Sequence, residues 1–86
     1  MVTVLREGGF RIVIFVNDHA PAHVHVFGDG EAKIDLMAIG DAPRLVWADR
    51  MTKADVRRAL RIVEDAQAEL LERWQEIHGA IDRSRD

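Results

Sequence analysis

His23-Val24-His25-Val26-Phe27-Gly28-Asp29-Gly30-Glu31-Ala32-Lys33-Ile34-Asp35-Leu36 decides the fold of this 86-residue chain. Two alternating runs flank a Gly-Asp-Gly turn, which is the pattern of a β-hairpin. Its register is readable because a one-residue slip sends every side chain to the other face. A two-residue Asp29-Gly30 turn sets Val26 against Lys33 and His25 against Ile34, mixing polar and apolar groups on both faces. A three-residue loop, with Gly30 left-handed and a bulge, sets Phe27 against Glu31, Val26 against Ala32, His25 against Lys33, Val24 against Ile34 and His23 against Asp35. Only this second register gives one apolar face (Val24, Val26, Ala32, Ile34, Leu36) and one polar face (His23, His25, Glu31, Lys33, Asp35). It is the expected one.

Working outward, Val2-Thr3-Val4-Leu5 reads as a short strand and Gly8-Gly9 as a turn that uses positive φ. Phe10 to Val16 is nearly all apolar and β-branched or aromatic, and reads as the central strand, covered on both faces. Asn17 to Ala22 is a loop, since Asn-Asp favours turns and Pro21 disfavours helix at Ala20. Beyond the hairpin, Ile39 to Pro43 is a second loop and Arg44-Leu45-Val46-Trp47-Ala48 a fifth strand.

A helix follows. Thr52 is its N-cap, Asp55 stands where a capping-box acid belongs, and Met51 can staple onto Val56. Val56, Leu60, Val63, Leu70, Trp74 and Ile77 make one apolar stripe at helical intervals. The stripe predicts a single helix from Lys53 to His78, about 39 Å long, stopped at Gly79. Ala80 to Asp86 reads as a frayed polar tail. The expected architecture is one α+β domain over residues 1–79: a small antiparallel sheet of four to five strands with one long C-terminal helix packed on it.

Composition narrows the class. Apolar residues make up 48% of the chain, which is ordinary for a globular domain, and there are no cysteines. Disulfides and thiolate metal sites are thereby excluded, and a reducing compartment fits. Met1 to Arg6 lacks the pattern of a signal peptide, and no apolar run is long enough for a membrane span. The expected location is the cytoplasm. The net charge of −3 hides a block pattern. Arg44, Arg50, Lys53, Arg57, Arg58 and Arg61 outnumber Asp49 and Asp55, whereas Glu64, Asp65, Glu69, Glu72 and Glu76 outnumber Arg73. The basic block suits an anion, and the overlong helix with its block charges suits a partner protein or self-association.

Chemistry concentrates between Asn17 and Asp35. Two residues apart on a strand, His23 and His25 share a face. As a metal-free acid–base pair they could act on a phosphodiester, one taking a proton and the other giving one. Asp35 would then orient His23, and Lys33 would stabilise the developing charge. Asn17, His19 and Glu31 would line the substrate site, and Arg57, Arg58 and Arg61 would steer RNA towards it. The same cluster admits a second chemistry, a divalent transition metal such as zinc on His19, His23 and His25.

Thr3-Val4-Leu5, Gly8-Gly9-Phe10, the run Asn17 to Val26, Gly30-Glu31-Ala32-Lys33 and Leu70-Leu71-Glu72-Arg73-Trp74 resemble the small prokaryotic domain-of-unknown-function family numbered 4160. The likeness covers about residues 3–78. It departs at Ala22, where the family more often repeats proline. The resemblance implies an α+β domain with an antiparallel sheet and a long C-terminal helix. It also implies a genetic setting beside another small protein, like that of a toxin–antitoxin pair. His19, Pro21, His23, His25, Glu31 and Lys33 match the family's motif. The resemblance assigns no activity to them. The function expected from residues and resemblance together is a component of a toxin–antitoxin-like module, a metal-independent ribonuclease. A non-catalytic interaction module and a metal-binding protein are the alternatives.

Overall fold

The hairpin takes the register that separates its faces, His23 opposing Asp35, Val24 Ile34, His25 Lys33, Val26 Ala32 and Phe27 Glu31. The computed structural model of the protein describes residues 1–83, with side chains described through residue 79. Strands β1 (Val2–Glu7), β2 (Phe10–Ile14), β3 (His23–Phe27), β4 (Glu31–Asp35) and β5 (Arg44–Asp49) form one antiparallel sheet. Each strand pairs with its sequence neighbour, in the order β1-β2-β3-β4-β5. The hairpin loop differs from expectation at Gly30, which is not left-handed. Glycine is needed there for space: a Cβ would run into the carbonyl oxygens of Asp49 and Arg50.

The segment expected to be the central strand is shorter and lies one place off centre. β2 ends at Ile14 and sits between β1 and β3, so β3 takes the middle. The cause is the next loop. Phe15 leaves the ladder and sets its ring edge-on against His25, centroids 4.7 Å apart, and Val16 is exposed. The both-sided covering holds over β2 itself. Ile12 and Ile14 on one face and Val13 on the other are all fully buried.

One core fills the apolar face. Phe10, Ile12, Ile14, Val24, Val26, Ile34 and Leu36 meet Ala59, Val63, Leu70 and Trp74 from the helices. Burying each of the larger of these side chains contributes about 1.5–3 kcal/mol.

The single helix expected over Lys53 to His78 is two helices, α1 (Lys53–Asp65) and α2 (Gln67–Arg83). Thr52 caps α1 as expected, its Oγ1 accepting from the Asp55 N–H at 3.1 Å. The break is Ala66, with φ −106° and ψ 13°. It is local, because the Ala66 N–H still donates to the Ile62 carbonyl and the Leu70 N–H to the Ala66 carbonyl. The apolar stripe therefore carries across it. No proline or glycine marks this position; the tie is tertiary. Buried Gln67 donates from Nε2 to the carbonyls of Leu36 (2.6 Å) and Asp41 (2.8 Å), with that of Ala38 at 3.3 Å. Two hydrogens serve three carbonyls, so the longest contact is a shared one.

α2 also runs past the expected stop at Gly79, which is not left-handed and so does not act as a C-cap. Of the expected polar tail, residues 80–83 continue the helix and residues 84–86 lie outside the described residues. Among the described residues no helix is long and apolar enough to cross a membrane.

Candidate metal centre

β3 brings His23 and His25 to one face, and the loop between β2 and β3 folds back over them. That loop carries Asp18 onto both rings. Asp18 Oδ2 lies 2.9 Å from His23 Nε2 and 3.7 Å from His25 Nε2. The far nitrogen of each ring is fixed. His23 Nδ1 is 2.9 Å from the Pro21 carbonyl oxygen, and His25 Nδ1 is 3.0 Å from Glu31 Oε2. A carbonyl and a carboxylate only accept, so each Nδ1 donates, and the other ring nitrogen, Nε2, is left on the side of Asp18. Asp18 Oδ2 is shielded from solvent and makes no hydrogen bond among the described residues, because the nearby His23 nitrogen is not aligned to donate to it.

Three ligand atoms, one from each of Asp18, His23 and His25, lie within 4.8 Å of one another. Metal bonds of 2.0–2.1 Å set neighbouring ligands about 3.0–3.4 Å apart, and the two spacings from Asp18 Oδ2, 2.9 and 3.7 Å, bracket that range. Tying the second ring nitrogen to a carboxylate or a backbone carbonyl is how proteins orient metal-binding histidines. Here Glu31 does one and Pro21 the other. Aromatic walls hold both rings. Phe15 and Trp47 flank His25, at 4.7 and 6.0 Å between centroids. Trp74 of α2 stands 5.1 Å from His23 and is itself stacked on His78. His23 is buried and His25 half-buried.

The centre opens on one side into a hollow lined by Asp18, His19, Pro21, His23, Lys33 and Asp35. His19 is exposed in the same loop, and Asn17 is exposed beside Asp18. Asp35 faces His23 in the register, yet its carboxylate lies against Arg44, with Nη2 3.4 Å from Oδ2. The position beside His23 that sequence reading gave to Asp35 is taken by Asp18. Lys33 lines the hollow and has no ion-pair partner among the described residues.

The structure separates the arginines from this group. Arg57, Arg58 and Arg61 belong to α1, whose Ala59 and Val63 pack on the apolar side of the sheet. Arg58 serves the fold there, donating to the Gly8 carbonyl at 3.1 Å and lying over the Phe10 ring. Sequence reading missed Asp18. An acid beside a turn-forming Asn reads as loop chemistry, and only the return path of the loop brings it to the imidazoles.

The family model described as "Domain of unknown function (DUF4160)" matches residues 9–75. No curated protein and no solved structure matches the chain. The matched span takes in every strand from β2 onward, both histidines, Asp18 and the first half of α2, and with it the chain belongs to the DUF4160 family.

Proposed function

We propose that this domain binds a divalent transition metal through Asp18, His23 and His25, in a centre of the open, catalytic kind. One observation carries the reading. Both Nδ1 atoms are tied to acceptors, so two Nε2 atoms and a solvent-shielded carboxylate oxygen that has no hydrogen bond converge within 4.8 Å. A shielded carboxylate without a hydrogen bond is unfavourable, and a metal cation held between it and the two imidazoles would relieve that cost. Imidazole and carboxylate suit zinc, iron, nickel or manganese, and three protein ligands leave a coordination position for water. The hollow beside His19, Lys33 and Asp35 is where that position would face, and a metal held by these residues would supply an activated water for hydrolysis there.

Calorimetry of the untagged, metal-free chain with zinc and with manganese tests this. One equivalent should bind, and Asp18→Asn should weaken uptake by about tenfold or more. His19→Ala should leave it unchanged. Absent uptake, or uptake lost with His19 and kept without the Asp18 carboxylate, would overturn the centre.

A metal-free ribonuclease reading also has support, since the His23 and His25 rings stand 5.4 Å apart and Lys33 lines the same hollow as His23. Asp18 would then be the orienting acid. RNA cleavage that persists in a strong chelator would favour it. A place in a paired, toxin–antitoxin-like module draws support from the resemblance and from β5, an edge strand that is mostly exposed and open to a partner strand.

A further inference from the structure

Beside the metal centre, the polar face of the sheet carries an aromatic residue that the core does not use. Trp47 of β5 is 40% exposed. Its Cα partner across the β4–β5 ladder is Lys33, and the partner of Lys33 across the β3–β4 ladder is His25. His25, Lys33 and Trp47 thus form a row straight across three strands. The outer strands of such a row are about 9.6 Å apart, yet the His25 and Trp47 ring centroids are separated by only 6.0 Å. The two rings lean towards each other over the Lys33 position. An exposed indole, an unpaired ammonium and the candidate metal centre are therefore immediate neighbours on one face.

The other charges around the row are already engaged. Glu31 is tied to His25, Asp35 faces Arg44, and Asp18 points at the two imidazoles. Lys33 is left as a cation without an acidic partner among the described residues. Indole faces accept any base by stacking, and a cation next to the indole accepts the phosphate of the same nucleotide.

From this juxtaposition we infer that the polar face binds single-stranded nucleic acid, with a base stacked on Trp47 and its phosphate held by Lys33 at the mouth of the metal centre. The inference rests on the metal centre for its catalytic meaning, but the platform itself is made of Trp47 and Lys33. Neither residue is a metal ligand, and neither belongs to the core cluster.

The test uses the zinc-loaded chain, zinc content being measured first in the same sample, and two probes: the tetraribonucleotide of adenine and inorganic phosphate. The tetranucleotide should bind and quench indole emission. Trp47→Ala should weaken its binding by about tenfold or more while leaving inorganic phosphate binding unchanged, and Trp47→Phe should restore most of the loss. Lys33→Met should weaken both probes. No tetranucleotide binding to the zinc-loaded chain, or equal binding by Trp47→Ala, overturns the platform and leaves the metal centre standing. Indole emission that changes with protein concentration alone assigns Trp47 to a second copy of the chain and overturns it as well. If no zinc is taken up, the metal centre fails, and the same variants titrated against the metal-free chain still decide the platform.

Discussion

At the scale of single residues, metal binding depends on which nitrogen of each imidazole is free. Glu31 holds His25 through Nδ1 and is not one of the three grouped ligands. Replacing it with Gln keeps the shape and removes the charge that enforces the tautomer. Glu31→Gln should therefore lower zinc affinity by about 10–100-fold with unchanged circular dichroism. A competition titration against a chromophoric chelator measures this, and an unchanged affinity would show that Glu31 is an ordinary surface acid. The sharing of one face by His23, His25, Glu31, Lys33 and Asp35 was legible in the sequence. Alternation and the chemistry of the two faces leave one acceptable register. The identity of the acid was not legible. Asp35 stands opposite His23, but β5 brings Arg44 to Asp35, and a register shift between Lys33 and Ile34 in that ladder has no sequence mark.

At the scale of elements, the capped start of α1 and the apolar stripe were readable, and the break was not. Propensity runs smoothly through Ala66, which is a good helix former. The break accompanies the burial of Gln67 against the loop after β4, a contact between residues about thirty positions apart. Gln67→Ala strands the carbonyls of Leu36 and Asp41 and should cost about 1–3 kcal/mol. Urea denaturation checks it; a loss under 0.5 kcal/mol, on the order expected of a surface change, would mean that the loop does not depend on this clamp. Gly30 makes a related point. The sequence marks a turn glycine there and suggests positive φ. The requirement is instead the closeness of the Asp49 and Arg50 carbonyls, which belongs to the packing of β5 on the hairpin loop.

At the scale of the whole molecule, a short chain buries one small core between the apolar face of the sheet and two helices, and such cores give modest stability. The polar face is closed over differently, by a loop that carries Asp18 and by the rings of Phe15 and Trp47 beside His25. A metal bound there would clamp loop to sheet and stabilise the folded chain by about 2.7 kcal/mol at a hundredfold excess over Kd. Zinc should accordingly raise the thermal midpoint of the wild type and leave that of Asp18→Asn nearly unmoved. Equal shifts in both would mean that zinc acts elsewhere. The α+β class and five-stranded sheet follow from short alternating segments and a capped amphipathic helix. The meander order and the loop's return over the polar face are long-range outcomes that no local pattern states.

The most direct test of the centre is nitrogen-15 NMR of the histidine rings as zinc is added to the metal-free chain. The Nε2 resonances of His23 and His25 should move together and stop at one equivalent. Their Nδ1 atoms should stay protonated, and His19 and His78 should not respond. Metal-induced shifts at His19, or Nδ1 rather than Nε2 coordination at either strand histidine, would contradict it, as would no change at all.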